Sequence, residues 1–181
     1  GMLNKDLSEN IYSLTEGCTL QKKFKLDSSP DFFQPDLGII LGNCYKIQGF
    51  DFSNALLSNS QFQNIDFSGS IFENADLQGT HFEGATMKYV NFRNAYLDIS
   101  HFDAAVLKNA NLRSSSLAGA IFDGADLTDA KLIGADLDKA SMLDANLCHA
   151  DVHLVKNFTD EQKRVVYLGK CNSQSLLSAQ S

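Results

Sequence analysis

The densest group of chemically capable side chains is Cys148-His149-Ala150-Asp151-Val152-His153, four potential ligands for a divalent metal within six residues. A second group repeats itself: His81 with Glu83, then His101 with Asp103, the same pairing of imidazole and carboxylate twenty residues on. No nucleophile elbow or phosphate-binding loop accompanies them. Carboxylates dominate the charge, with 22 Asp and Glu against 15 Lys and Arg in 181 residues. What these groups can do depends on which of them the chain brings together.

That is governed by a period of five. From Phe52 through Leu57, Phe62, Phe67 and Phe72 to Val152, every fifth residue is large and apolar, and the residue two places before it is mostly Ala, Ser or Thr. One helix cannot carry this pattern, because five steps of about 100° scatter the apolar set around the axis. One straight strand cannot either, since an odd step on a pleat of period two alternates faces. The chain must turn once per five residues, with the large centre and its small partner inward. Two positions after the centre come Asn54, Asn59, Asn64, Gly69, Asn74, Gly79 and Gly84, types that accept the positive φ of a type II turn. The residues flanking each centre are polar and expected to face water. A unit that buries two residues and solvates three is a solenoid.

Residue identity returns after twenty positions. His81-Phe82-Glu83 matches His101-Phe102-Asp103, Asn91-Phe92-Arg93 matches Asn111-Leu112-Arg113, and Lys88 matches Lys108. Four repeats per coil follow, with Phe52, Phe72 and Phe92 stacked on one wall and Phe62, Phe82, Phe102 and Phe122 on the opposite one. A tube so filled is expected to leave no cleft for substrate, and no enzyme activity is expected.

The same register distributes the charged groups. Residues 50 to 154 hold fourteen acidic and six basic side chains, a local charge of −8. Asp76, Asp98, Asp136 and Asp138 fall on one wall, Glu83, Asp103, Asp123 and Asp144 on the next, and Lys88, Arg93, Lys108 and Arg113 at the opposite corner. Like charges stacked at strand spacing repel, so the acidic ladder serves either solubility or a cationic partner. These eight carboxylates are therefore the candidate partner-binding residues. His149 and His153 with Cys148 and Asp151 point outward across a corner and read as surface residues. His81 and His101 with their carboxylates could take up a divalent cation or be a duplicated, solvated coil, and the lack of an enclosing pocket favours the latter. No metal or cofactor is expected.

These residues resemble the pentapeptide repeat proteins, whose pattern is A-(D/N)-L-x-x. Ala125-Asp126-Leu127, Ala135-Asp136-Leu137 and Ala145-Asn146-Leu147 match it literally, and the match extends over roughly residues 45 to 154. The resemblance implies a right-handed quadrilateral β-helix; with the four repeats per coil set by the twenty-residue recurrence and small helical caps at the ends, the expected fold is an all-β, right-handed quadrilateral parallel β-helix. It also implies a binding rather than a catalytic role. Some members mimic duplex DNA, occupy DNA gyrase and protect it from quinolones or toxins, so a type II topoisomerase is one partner the resemblance suggests. The favoured expectation is broader: a rigid acidic prism engaging a basic protein surface, without direct nucleic-acid or membrane binding. A rod acting through its ends in a larger assembly is the further alternative.

Four segments are expected: a helix and strand cap over 1–29, a degenerate first coil over 30–49, the solenoid over 50–154, and a capping helix with polar tail over 155–181. In the first, Leu3, Leu7, Ile11 and Leu14 share a helical face, and Leu20, Phe24 and Leu26 suggest a strand. In the last, Thr159-Asp160-Glu161-Gln162 has the form of a capping box before a helix that Gly169 could end. Phe158, Val165, Val166 and Leu168 supply an apolar face that covers the solenoid end or forms a homodimer. Cys18, Cys44, Cys148 and Cys171 show no paired spacing and read as free thiols. With no export signal, a cytoplasmic location is expected.

Overall fold

Backbone hydrogen bonding follows the five-residue period. The structure, a computed structural model, describes residues 19–21, 46–166 and 171. In each repeat the amide three residues after the centre donates back to the centre's carbonyl, as from Ala75 N to Phe72 O at 3.1 Å. The turn so closed has positive φ at its third residue, from 53° at Ile99 to 73° at Gly69. Between coils, the residue before each centre bridges in parallel to its counterpart twenty residues away, in an unbroken series from Lys46↔Asp66 to Asp136↔Lys156. Four repeats therefore make one coil of a parallel β-helix. The turn consumes most of each side, which leaves single bridges in place of long strands.

Strand β1 (Thr19–Gln21) pairs in parallel with β2 (Lys46–Gln48), Leu20 opposite Ile47, and so lies along the first coil. The expected helix around Leu3 to Leu14 and most of the degenerate coil lie outside the described residues, as do Phe24 and Leu26.

Inside the tube, every centre from Phe52 to Val152 is buried. The predicted ladders are present: Phe72 and Phe92 stack at 5.2 Å, and Phe102 and Phe122 at 4.9 Å. Rings from the two walls meet edge to face across the tube, Phe82 and Phe92 at 5.9 Å. Offset stacks and edge contacts are the arrangements that aromatic quadrupoles favour. At several small inward positions a hydroxyl finds a carbonyl: Ser70 Oγ donates to Ile47 O, Thr80 Oγ1 to Leu57 O, and Ser115 Oγ to Leu112 O. Burial of these hydroxyls is thus compensated.

The position before most centres is half-buried rather than fully solvated, with Leu56, Gln61, Tyr96, Lys131 and Ser141 exposed. There an Asp or Asn side chain accepts the amide two residues on: Asp51 from Ser53, Asp66 from Ser68, Asn91 from Arg93, Asp126 from Thr128, Asp136 from Asp138 and Asn146 from Cys148. These Asx turns explain the D/N preference of the repeat. At Asp66, burial raises the carboxyl pKa. Hydrogen bonds from the Ser68 side chain and amide and from Gln48, with Lys46 nearby, outweigh burial and lower it overall.

The C-terminal helix α1 spans Asp160–Val165, ending before Gly169, with Val166 extended beyond it. The reason lies in the solenoid: Val165 O accepts the Asp144 amide of the last coil at 2.8 Å, which draws the chain out of the helix. Thr159 and Gln162 form the expected capping box. Gln162 does more, because its buried Nε2 donates to Ala140 O at 3.1 Å, as a further coil's amide would, and to Leu137 O at 2.8 Å, which also closes its own turn. Phe158 and Val166 pack against the core, and Val165 is partly exposed; Leu168 lies outside the described residues. The free-thiol expectation fails for two cysteines: Cys148 and Cys171, 23 residues apart in sequence, lie with Cα atoms 5.5 Å apart and are joined by a disulfide. Cys18 and Cys44 lie outside the described residues.

Replacing Phe92 by Asp removes burial of a side chain worth about 1.5–3 kcal/mol and puts an unpaired carboxylate among rings. Circular dichroism should show no cooperative unfolding for this variant, whereas Arg93→Asp, on an exposed position, should melt near wild type. Gln162→Ala should lose about 1–3 kcal/mol by stripping donors from the end of the solenoid, measured by urea unfolding. The lowered Asp66 pKa contributes stability that is complete above the unfolded carboxylate value of about 3.9 and is lost as pH falls through the folded value. Thermal melts from neutral pH downward should therefore fall less steeply with acid for Asp66→Asn than for wild type.

Candidate functional site

The two acidic walls are adjacent faces of the prism. Along one, the bridged column runs Leu56, Asp76, Tyr96, Ser116, Asp136; along the next it runs Gln61, His81, His101, Ile121, Ser141. The carboxylates named from the sequence flank or occupy these columns. Most of them are half-buried and hydrogen-bonded; Asp144 is the exposed one among the eight. Asp76 accepts the Gln78 amide, Asp98 accepts Ser116 Oγ at 2.6 Å, and Asp123 accepts Ser141 Oγ at 2.6 Å and the Leu143 amide. Asp136 holds the Asp138 amide and Asn157 Nδ2. The ladder is therefore partly structural: donors from the next coil or from its own turn offset the like-charge stacking.

At the opposite corner Lys108 Nζ lies 3.7 Å from Asp126, a partly exposed pair that adds little to stability.

Sequence reasoning missed the apolar residues at left-handed turn positions. Tyr89, Ile99 and Leu154 have φ of 59°, 53° and 57° where Asn or Gly was expected. For β-branched Ile99 this conformation is unfavourable, yet the hydrogen-bonded coil imposes it. Ile99 is 61% exposed, and Tyr96 in the same repeat is 53% exposed. Gly79 and Gly119 sit one coil to either side, and Ile99 extends over both: a Cβ placed on Gly119 would meet Ile99 Cγ2 at 3.2 Å. Asp76 lies one coil before Tyr96 and Asp98 two residues after it, and Asp136 and Asp138 lie two coils beyond on the same face, so an aromatic and an aliphatic side chain stand on an acidic wall. The signal for it in the sequence was the break in the Asn/Gly column at Ile99.

Of the metal-ligand candidates, Cys148 and His149 are grouped with Cys171, not with Asp151 and His153. Asp151 instead accepts the His153 amide, and both sulfurs are spent in the disulfide. His81 and His101 do come together with Glu83.

The expectation of no cleft needs correction. Because α1 leans over the last coil without sealing it, an open cleft of about 510 Å³ lies between them, with Leu143, Gln162 and Val165 in its lining. Among the described residues, no helix is long and apolar enough to cross a membrane.

Comparison with known proteins agrees with this geometry. A model of the pentapeptide repeat region matches residues 45–122, and one of pentapeptide repeats matches 105–142 and 125–154. No curated protein matches the sequence. Among solved structures, the pentapeptide repeat protein Rfr23 from the cyanobacterium Cyanothece 51142 aligns with TM-score 0.50 and 17% identity, over 61% of this chain and 90% of its own. The pentapeptide repeat protein alr5209 from Nostoc Pcc 7120 aligns with TM-score 0.47 and 27% identity, over 66% and 84%. QnrB1, a plasmid-mediated fluoroquinolone resistance protein, aligns in trypsin-treated form with TM-score 0.43 and 22% identity, over 72% and 85%. With the five-residue register unbroken through the matched region and coils bridging at twenty residues, the chain belongs to the pentapeptide repeat family.

Proposed function

We propose that the protein is a non-enzymatic binding module whose acidic faces receive a basic surface of a protein partner. The observation that carries this reading is the exposed pair Tyr96 and Ile99 on the wall that also carries Asp76, Asp98, Asp136 and Asp138. Interfaces concentrate energy in aromatic and aliphatic anchors at a centre, with polar groups at the rim excluding water and setting register. Carboxylates in that rim select a cationic partner and speed encounter. The unfavourable turn conformation of Ile99 adds weight, since an exposed residue held against its preference is poorly explained by stability alone.

Two narrower readings fit less well. A DNA-like protector of gyrase calls for a continuous negative field, which Lys88, Arg93, Lys108 and Arg113 interrupt. A rod that assembles through open strand edges is opposed at one end by Gln162, whose Nε2 takes Ala140 O, a carbonyl of the kind that the next coil's amide uses. The cytoplasmic location also loses part of its support, because a disulfide between Cys148 and Cys171 suits an oxidising compartment.

The test separates anchor from rim. Affinity capture with wild type identifies the partner, and calorimetry then compares variants. Asp76→Asn with Asp98→Asn and Asp138→Asn keeps an acceptor oxygen at every position, so the fold should persist while affinity falls and its salt dependence flattens. Ile99→Gly should relieve about 1–2 kcal/mol of backbone strain, less what its contacts return, and yet weaken binding. A partner bound with unchanged affinity by both variants would refute this surface.

A further inference from the structure

On the wall next to Tyr96, His81 and His101 are bridged partners in adjacent coils, and their rings stack with centroids 4.4 Å apart and planes 10° from parallel. Glu83 Oε1 lies between them, 2.7 Å from His81 Nδ1 and 3.6 Å from His101 Nδ1. Asp103 Oδ1 is 3.8 Å from His101 Nδ1. The candidate ligand atoms of His81, Glu83 and His101 all lie within 4.8 Å of one another. Two further observations set this cluster apart from an ordinary solvated face. Glu83 Oε2 and Asp103 Oδ1 are buried atoms without a hydrogen-bond partner. The coils above and below place Gln61, Gln63, Ile121 and Asp123 beside them, so no cationic side chain occupies these neighbouring positions. Buried carboxylate oxygens without donors are costly, and here the missing element is positive charge.

We propose that His81, Glu83, His101 and Asp103 form a surface site for a divalent transition metal of the Zn²⁺ type. Imidazole nitrogen selects Zn²⁺ and its first-row neighbours over Mg²⁺ or Ca²⁺, and carboxylate oxygen completes such a set. Tetrahedral coordination with metal–ligand distances of about 2.0–2.1 Å separates donor atoms by about 3.3 Å, and the observed 2.7 and 3.6 Å bracket that spacing. Seating the ion requires the parallel rings to splay about their side-chain torsions and Glu83 Oε1 to exchange its His81 hydrogen bond for the metal. The two His-x-carboxylate pairs sit on successive coils, so binding would clamp them together without disturbing an inward residue.

The experiment uses the full chain, stripped with chelator and titrated with Zn²⁺ by calorimetry. Saturable binding of one ion per chain and a rise in melting temperature are expected. His81→Asn with His101→Asn should weaken the affinity by more than about tenfold and abolish the thermal shift, whereas His149→Asn with His153→Asn should retain both. A measurement on wild type guards against a misfolded variant: Co²⁺ should broaden the imidazole proton resonances of His81 and His101 and leave the remaining two histidines sharp. Absence of saturable binding, binding that survives loss of His81 and His101, or broadening confined to His149 and His153 would each overturn the site.

Discussion

The hydrogen bonds between a residue and the coil twenty positions away are the constraint on which everything else depends. The Leu77 amide donates to Tyr96 O and the Tyr96 amide to Ala75 O, and the same exchange recurs along the solenoid. At a spacing of about 4.8 Å between coils, each side chain lies directly over its counterpart, so the structure is a set of columns. Inside, columns of Phe and Leu fill a narrow tube at interior density. Outside, the same rule stacks histidine on histidine and carboxylate near carboxylate, whether or not that suits their chemistry. Backbone pairing is strong enough collectively to hold Ile99 and Tyr89 in left-handed turns that their side chains disfavour.

A column architecture shifts the difficulty of folding to its ends, where a coil lacks a neighbour. Strand β1 lies along the first coil, and at the other end α1 supplies what the next coil would have supplied. Val165 O takes the Asp144 amide and Gln162 Nε2 reaches Leu137 O and Ala140 O. One glutamine thereby serves two structures at once, since its Oε1 also accepts the Thr159 amide at 2.7 Å and starts the helix.

On the proposed reading, the outer faces divide the work between stability and recognition. Carboxylates before each centre are engaged in Asx turns, which accounts for much of the acidity without reference to a partner. What turns do not account for are the exceptions: the exposed Tyr96 and Ile99, and the paired histidines with unsatisfied carboxylate oxygens. On the proposed reading, function resides where the column rule is broken or duplicated, because the remaining positions are fixed by the coil itself.

Much of this was legible in the chain alone. The step of five excluded a helix and a straight strand, the match of His81-Phe82-Glu83 with His101-Phe102-Asp103 set four repeats per coil, and Thr159 to Gln162 announced a helix start. These are local or periodic signals, and periodicity survives in one dimension. The D/N preference was visible but its cause was not, since an Asx turn is recognised only when the carboxylate and the amide are seen to meet. Tertiary structure alone joined Cys148 to Cys171, ended α1 at Val165 and turned Gln162 into a plug, because each depends on where a distant, non-repeating segment comes to rest. It also decided the candidate sites. Sequence placed His81 and His101 in register, but only the folded coil determines that Glu83 Oε1 lies between their nitrogens, and that Ile99 extends over two glycines on an acidic wall.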